Sequence, residues 1–162
     1  MNKRHLILSL LTISIMPSVS FAEEVFPIMK SKEEWKKILT PAQFAVLREE
    51  ATERPFTNSL MGEKSDLLKE SRKGSYKCAG CSTPVYSSET KYDSGTGWPS
   101  FYEEIKPNVG YRKDWKLIFP RTECHCANCG GHLGHVFNDG PRPTGLRHCI
   151  NGLALIFEAT ES

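Results

Sequence analysis

The sequence predicts a mainly β fold: two small antiparallel sheets with N-terminal helices, held by a clip of four cysteines. Three observations carry this expectation. From Ser75 onward, short apolar or alternating segments are separated by clusters of Gly, Pro, Asn and Asp, the patterning of strands and turns. Helix signals are confined to residues 31–52. Four of the six cysteines form two Cys-x-x-Cys pairs, Cys78/Cys81 and Cys126/Cys129.

The chain opens on the basic group Lys3-Arg4-His5, an apolar run at 6–16, Pro17 and a small-residue stretch ending Ser20-Phe21-Ala22. This is the pattern of a cleaved secretory signal peptide over residues 1–22. The run is shorter than the ~20 apolar residues of a bilayer-spanning helix, so no stable membrane association is expected after cleavage. With no Arg- and Ser-rich organelle presequence, the simplest destination is the periplasm of a Gram-negative-type cell. Removing 22 of 162 residues leaves 140, enough for a single domain at 23–162 with one core.

Residues 23–30 read as a loose leader. Ser31 with Glu34 makes one capping box, and Thr40-Pro41 with Gln43 makes a second with Pro at the first helical position. Trp35, Ile38 and Leu39 give the first helix its apolar stripe, and Phe44 and Leu47 the second. Arg54-Pro55-Phe56-Thr57-Asn58 then breaks the helical pattern. Strands are expected at 84–86, 115–119, 122–126, 132–137 and 148–157, with the two cysteine knuckles clipped together away from the main sheet.

Charge excludes one class of function. Of the 21 Lys and Arg, Lys3 and Arg4 lie in the leader, so 19 remain against 19 Asp and Glu. A neutral mature chain lacks the broad basic footprint that phosphate backbones select, so no nucleic-acid partner is expected.

The two cysteine pairs supply one complete tetrahedral ligand set, which predicts one structural Zn2+ per chain. Gly80 and Gly130-Gly131 suit knuckles whose amides turn toward thiolates. In an oxidising compartment, two vicinal disulfides are the competing reading. Cys149 stands apart. On an extended strand residues two apart share a face, so Arg147, Cys149 and Asn151 point one way and His148 and Ile150 the other. A neighbouring guanidinium favours the thiolate, the nucleophilic form. The plainer reading is a small buried hydrophobe on a core strand. Three more segments offer partners: the turn around Trp98, the histidines His132 and His135, and the Asn138-Asp139-Gly140-Pro141 turn. Taken singly, each has an ordinary reading as core aromatic, satisfied histidine or Asx turn.

In combination they are specific. Cys78-Ala-Gly-Cys81, Ser94-Gly-Thr-Gly-Trp-Pro-Ser-Phe101, Arg121-Thr-Glu123, Cys126-Ala-Asn-Cys129, His132-Leu-Gly-His-Val-Phe137, Asp139-Gly-Pro141 and Arg147-His-Cys-Ile-Asn151 occur in this order. The chain resembles the methionine-R-sulfoxide reductases, the B-type family, over about residues 31–157, with Glu53-Arg-Pro-Phe-Thr57 resembling an element before the first knuckle. The resemblance implies a fold of two antiparallel sheets and thiol-dependent reduction of the R epimer of methionine sulfoxide, free or in proteins. It implies that Cys149 is the nucleophile and Trp98 the wall for the substrate methyl group. His132, His135 and Asn151 would be polar contacts, with His135 the first choice to support the sulfoxide oxygen. Arg147 and Asp139 would be a supporting pair, and Cys78, Cys81, Cys126 and Cys129 the zinc ligands. It also implies a thioredoxin-like or small-thiol reductant; a monomer is the default.

Two departures stand out. Many members carry a resolving cysteine between the two glycines before the tryptophan, where this chain has Thr96, which would leave the approach to the sulfenic acid open. Tyr or Phe commonly precedes the nucleophile, where this chain has His148. Cys124 is the remaining cysteine: either it attacks the Cys149 sulfenic acid to form a disulfide, or it is a core residue whose side chain points away from the site. Two functions of other classes compete with the reductase. One is a zinc-ribbon binding module without catalysis; the other is a dithiol oxidoreductase working through Cys-x-x-Cys.

Overall fold

The computed structural model describes residues 24–160, so the expected signal segment lies outside the described residues. Helices α1 (Lys32–Ile38) and α2 (Pro41–Glu49) begin where the capping boxes place them. Ser31 Oγ accepts from the Glu34 amide at 3.2 Å, and the Ser31 amide donates to Glu34 Oε2 at 2.8 Å. Thr40 and Gln43 repeat the exchange at 3.1 and 3.2 Å. Each cap is worth ~1 kcal/mol, which matters for helices of two turns. α1 buries Trp35 and α2 buries Phe44, Val46 and Leu47. Residues 24–30 are not a loose leader. The Ile28 amide donates to the Asn128 carbonyl at 2.8 Å, and Phe26 packs edge-on against His125 at 5.6 Å, so the segment straps the second knuckle.

The rest is β structure. β1 (Ser59–Leu60) and β2 (Glu63–Lys64) form a minimal hairpin. They are followed by β3 (Gly74–Cys78), β4 (Pro84–Ser87), β5 (Lys91–Tyr92), β6 (Ser100–Phe101) and β7 (Val109–Asp114). β8 (Arg121–Cys126), β9 (His132–Phe137), β10 (Arg147–Ile150) and β11 (Leu155–Ala159) complete the set. Six strands form one antiparallel sheet in the order β5-β6-β10-β9-β8-β7, and three form another in the order β11-β3-β4. An aromatic joint closes the sheets on each other. Tyr86 of the small sheet stacks on Phe101 of the large one at 4.4 Å, and Tyr76 meets Phe101 edge-on at 4.9 Å. Such pairs add ~0.5–1.5 kcal/mol each beyond the area they bury.

Three expectations are corrected here. The segment 148–157 is two strands in two sheets, broken by a 3-10 turn at Gly152–Ala154. The break follows from Asn151, whose amide and side chain both donate to the Leu133 carbonyl and pull the chain out of the ladder. The segment 115–119 is not a strand but the exposed tip of the β7–β8 hairpin. Pairing ends at Asp114↔Arg121, and Asp114 Oδ1 accepts the Lys116 amide at 2.9 Å, turning the backbone. Nor do the knuckles lie away from the sheets. Cys78 ends β3 and Cys126 ends β8, so the clip joins one sheet to the other.

Candidate active site

The site is built on one row across the large sheet. Antiparallel register aligns Ser100 of β6, Cys149 of β10, His135 of β9, Glu123 of β8 and Arg112 of β7. Directly opposed residues share a face, so the thiol, an imidazole and a carboxylate stand side by side. The close approach of β9 and β10 needs Gly134: a Cβ there would overlap the Cys149 carbonyl oxygen.

Strict alternation would put His132 and His135 on opposite faces. The register slips by one residue between Cys124 and His125, a β-bulge on the β9 side that returns His132 to the face of His135. The two rings lie 5.3 Å apart. Each is held by an acid: His135 Nε2 donates to Asp114 Oδ2 at 2.7 Å, and His132 Nδ1 donates to Glu123 Oε1 at 2.7 Å. A carboxylate only accepts, so the bonded ring nitrogen carries the proton and the other nitrogen is left for substrate. His132 Nε2 is buried without a partner among the described residues. Burial opposes ionisation of Glu123, but hydrogen bonds from His132 and Arg112 outweigh it and bring its carboxyl to about 2. Asp114 is likewise held well below the usual carboxylate range: burial is overcome by the Lys116 amide, His135 and Arg121. Burial pushes His135 below the ordinary imidazole value, with Asp114 pulling the other way. Sequence reasoning gave Asp114 no part and quoted Glu123 only within a motif. The trace in the sequence is that each is the one acid of its strand, β7 or β8; their burial is tertiary.

The turn before β6 brings Trp98 and Thr96. Gly97 has φ +88°, and a Cβ there would stand 2.5 Å from the Phe56 amide nitrogen, so only glycine fits. Trp98 Nε1 donates to the Glu53 carbonyl at 3.1 Å, the Glu53 amide donates to Asn151 Oδ1 at 3.0 Å, and Asn151 Nδ2 donates to the Leu133 carbonyl at 3.1 Å. Asn151 is therefore a positioning residue in this geometry. It fixes both the indole and the bulge at Leu133 that aims His132. Glu53 was not anticipated; its carboxyl is raised by burial, with the Leu153 and Gly152 amides opposing. Thr96 stands beside the thiol. Its Oγ1 lies 3.8 Å from Cys149 Sγ, at the end of a hydroxyl chain that runs through Ser94 (2.8 Å) to Ser100 (2.7 Å).

Arg147 makes a bidentate pair with Asp139, both contacts 2.9 Å, and its guanidinium lies 4.4 Å over the Phe137 ring. The sequence suggested that this cation would favour the thiolate. The balance is different: burial pushes the Cys149 thiol up, while the Thr96 hydroxyl and Arg147 only moderate the rise. Arg147 is spent largely on Asp139.

Cys124 does not join the site. It aligns with Gly134 and Ile150, on the core face, and is fully buried 3.9 Å from His148 Nδ1. β8 and β10 are separated by β9, hence by two strand spacings or ~10 Å, beyond the ~7 Å that a disulfide spans. Its thiol is raised by burial. A resolving role for Cys124 is thus opposed by distance and by the intervening sheet. His148 shares this core face, with Tyr86 Oη at 3.2 Å from its Nδ1.

The four knuckle cysteines converge separately. Their Sγ atoms all lie within 4.8 Å of one another, with Cys78–Cys129 at 3.7 Å and Cys81–Cys126 at 3.5 Å. A zinc tetrahedron with Zn–S ≈ 2.3 Å has edges of ~3.8 Å, whereas a disulfide needs ~2.05 Å. The contacts also cross between knuckles rather than within each Cys-x-x-Cys, so vicinal disulfides do not describe them. Thr83 Oγ1 sits 3.1 Å from Cys81 Sγ, and Arg48 of α2 donates twice to the Cys129 carbonyl at 3.0 Å.

Comparison with known proteins adds the last observations. Residues 39–159 match the SelR domain family. A peptide methionine sulfoxide reductase MsrB from Leptospira interrogans is 52% identical over 134 residues, covering 82% of this chain and 97% of the relative. One from Agrobacterium fabrum is 50% identical over 132 residues, covering 81% and 93%. The chloroplastic peptide methionine sulfoxide reductase B1 of Arabidopsis thaliana is 50% identical over 132 residues, covering 81% of this chain and 62% of the relative.

Proposed function

The chain belongs to the SelR-domain family of methionine-R-sulfoxide reductases, and from that premise we propose how its residues reduce the R epimer of methionine sulfoxide to methionine. It is an oxidoreductase. The observation that carries the assignment is the alignment of the Cys149 thiol beside His135, each gripped from its other side by Thr96 and Asp114.

A sulfoxide sulfur is a poor electrophile until its oxygen gains a proton. Trp98 offers an apolar face for the substrate methyl group. Cys149 gives its thiol proton, directly or through water, to the ring nitrogen of His135 not bonded to Asp114 and attacks the sulfur as its thiolate, and that nitrogen passes the proton on to the oxygen; His132 is second in line. The hydroxyl then moves from the substrate sulfur to Cys149 as the S–S and S–O bonds break and an electron pair returns to the substrate sulfur, which leaves Cys149 as sulfenic acid and releases methionine. The raised thiol suits this order of events. Cys149 stays protonated until substrate fills the pocket and Thr96 and Arg147 stabilise the developing charge.

With Cys124 behind the sheet and Thr96 at the family's common resolving position, the reductant attacks the sulfenic acid directly. A small thiol or a thioredoxin-like protein fits that role. We assign the four knuckle cysteines to one structural Zn2+, which would hold the two sheets in register and supply no step of the reaction. The signal pattern at residues 1–22 favours export to the periplasm and repair of oxidised exported proteins, by a monomer. The zinc-ribbon binding module is set aside, because relatives ~50% identical over four-fifths of the chain carry an enzyme name.

One equivalent of a methionine-R-sulfoxide peptide, given without reductant, tests the thiol chemistry. The expected result is loss of one thiol, with dimedone trapped on Cys149 and Cys124 intact. A Cys124–Cys149 disulfide, or oxidation at another cysteine, would contradict it.

A further inference from the structure

The β7–β8 hairpin ends in an apolar tip. Trp115 is 72% exposed, Leu117 57%, Ile118 95% and Phe119 79%. Four large apolar side chains within five residues make a contiguous patch of the kind that marks an interaction surface. The tip is fastened to the active site at both stems. Asp114, which begins it, holds His135, and Arg121, which ends it, bonds the same carboxylate at 2.6 Å. At its foot an open groove of about 410 Å³ runs past Trp115, Asp114, Arg112 and Glu123.

We propose that this tip is the docking surface for an apolar, unfolded segment of the substrate polypeptide next to the oxidised methionine. The proposal rests on the reductase reading and adds a substrate class to it. Oxidation turns a buried apolar methionine polar and loosens the core around it, so the sulfoxide arrives among exposed apolar neighbours. β8 and β7 lie two to three strand spacings from β10, and the tip begins two residues further along them than the row of Cys149, so it starts ~12–16 Å away, or about four to five residues of extended chain. A sulfoxide at Cys149 therefore brings flanking residues to the tip. A lipid surface is the poorer occupant. Lys116 is paired with Glu50 at 2.5 Å and Arg121 with Asp114, so these cations are not free for anionic headgroups.

The test uses the double variant Ile118→Ser/Phe119→Ser, both positions being solvent-exposed. kcat/KM is measured with dithiothreitol on N-acetyl methionine-R-sulfoxide amide, on an R-sulfoxide peptide flanked by Leu and Phe, and on one of equal length flanked by Gly and Ser. The wild type should prefer the apolar peptide. The variant should lose about tenfold on that peptide, mainly through KM, and nothing on the other two. Equal use of both peptides by the wild type, an even loss across all three substrates, or no loss at all would overturn the proposal. So would tip-dependent sedimentation with phosphatidylglycerol vesicles in the absence of a peptide preference. A wild type inactive on all three substrates would overturn the reductase reading, and the docking proposal with it.

Discussion

Cys149→Ser is expected to lower methionine-R-sulfoxide reduction on the order of 10⁴-fold or more, with the melting temperature nearly unchanged. The sulfur is both the attacking atom and the acceptor of the oxygen, and a serine hydroxyl does neither at neutral pH. The fold should hold because the side chain's polar contact is to the Thr96 hydroxyl, which a serine oxygen can still approach. The Arg147–Asp139 pair and the hydroxyl chain through Ser94 stay in place. The check is steady-state turnover beside a thermal melt. A folded variant retaining a tenth of wild-type activity would remove Cys149 from the role of nucleophile.

The second large effect is on stability. Cys78→Ser or Cys126→Ser is expected to lower the melting temperature severely, and chelation of the wild type should do the same. The knuckles tie segments 45 residues apart, and they do so at the ends of β3 and β8, the only strands that carry ligands from the two sheets among the described residues. A four-thiolate zinc site supplies ~10–16 kcal/mol of apparent binding energy, as large as the ~5–15 kcal/mol net stability of a domain. Replacing one thiolate also leaves the remaining sulfurs crowded at 3.5–3.7 Å without a cation between them. Differential scanning fluorimetry with and without chelator, together with a metal assay, decides the matter. An unchanged melt in both variants, or protein purified without stoichiometric zinc, would contradict the assignment.

Much of the fold was legible because strands announce themselves by punctuation. Gly, Pro, Asn and Asp clusters bracket β8, β9 and β10, and both helix starts follow from capping boxes. The failures have one physical source: pattern reports what a segment favours, not what it finds to pair with. Residues 115–119 have strand-like apolarity, yet among the described residues no partner strand reaches past Asp114↔Arg121. Residues 148–157 read as one strand, and the side-chain amide of Asn151, invisible to periodicity, divides it.

The site divides along the same line. Period-two alternation placed Arg147 and Cys149 together and His148 and Cys124 elsewhere. Alternation alone does not join His132 to His135, which the resemblance did; they share a face because the strand bulges at Leu133. Asp114, Glu123 and Glu53 were not found because their roles are tertiary: strand register places the first two, and the loop carrying Glu53 meets Asn151 and Trp98. Arg147 does act on the thiol in the expected direction, and burial, a tertiary quantity that the sequence does not show, outweighs it.

The most direct measurement is turnover on a peptide carrying methionine sulfoxide, with the R and S epimers separated and dithiothreitol as reductant. The arrangement of Trp98, Cys149 and His135 predicts reduction of the R epimer to methionine and negligible turnover of the S epimer. Comparable rates on both epimers, or turnover of the S epimer alone, would contradict it.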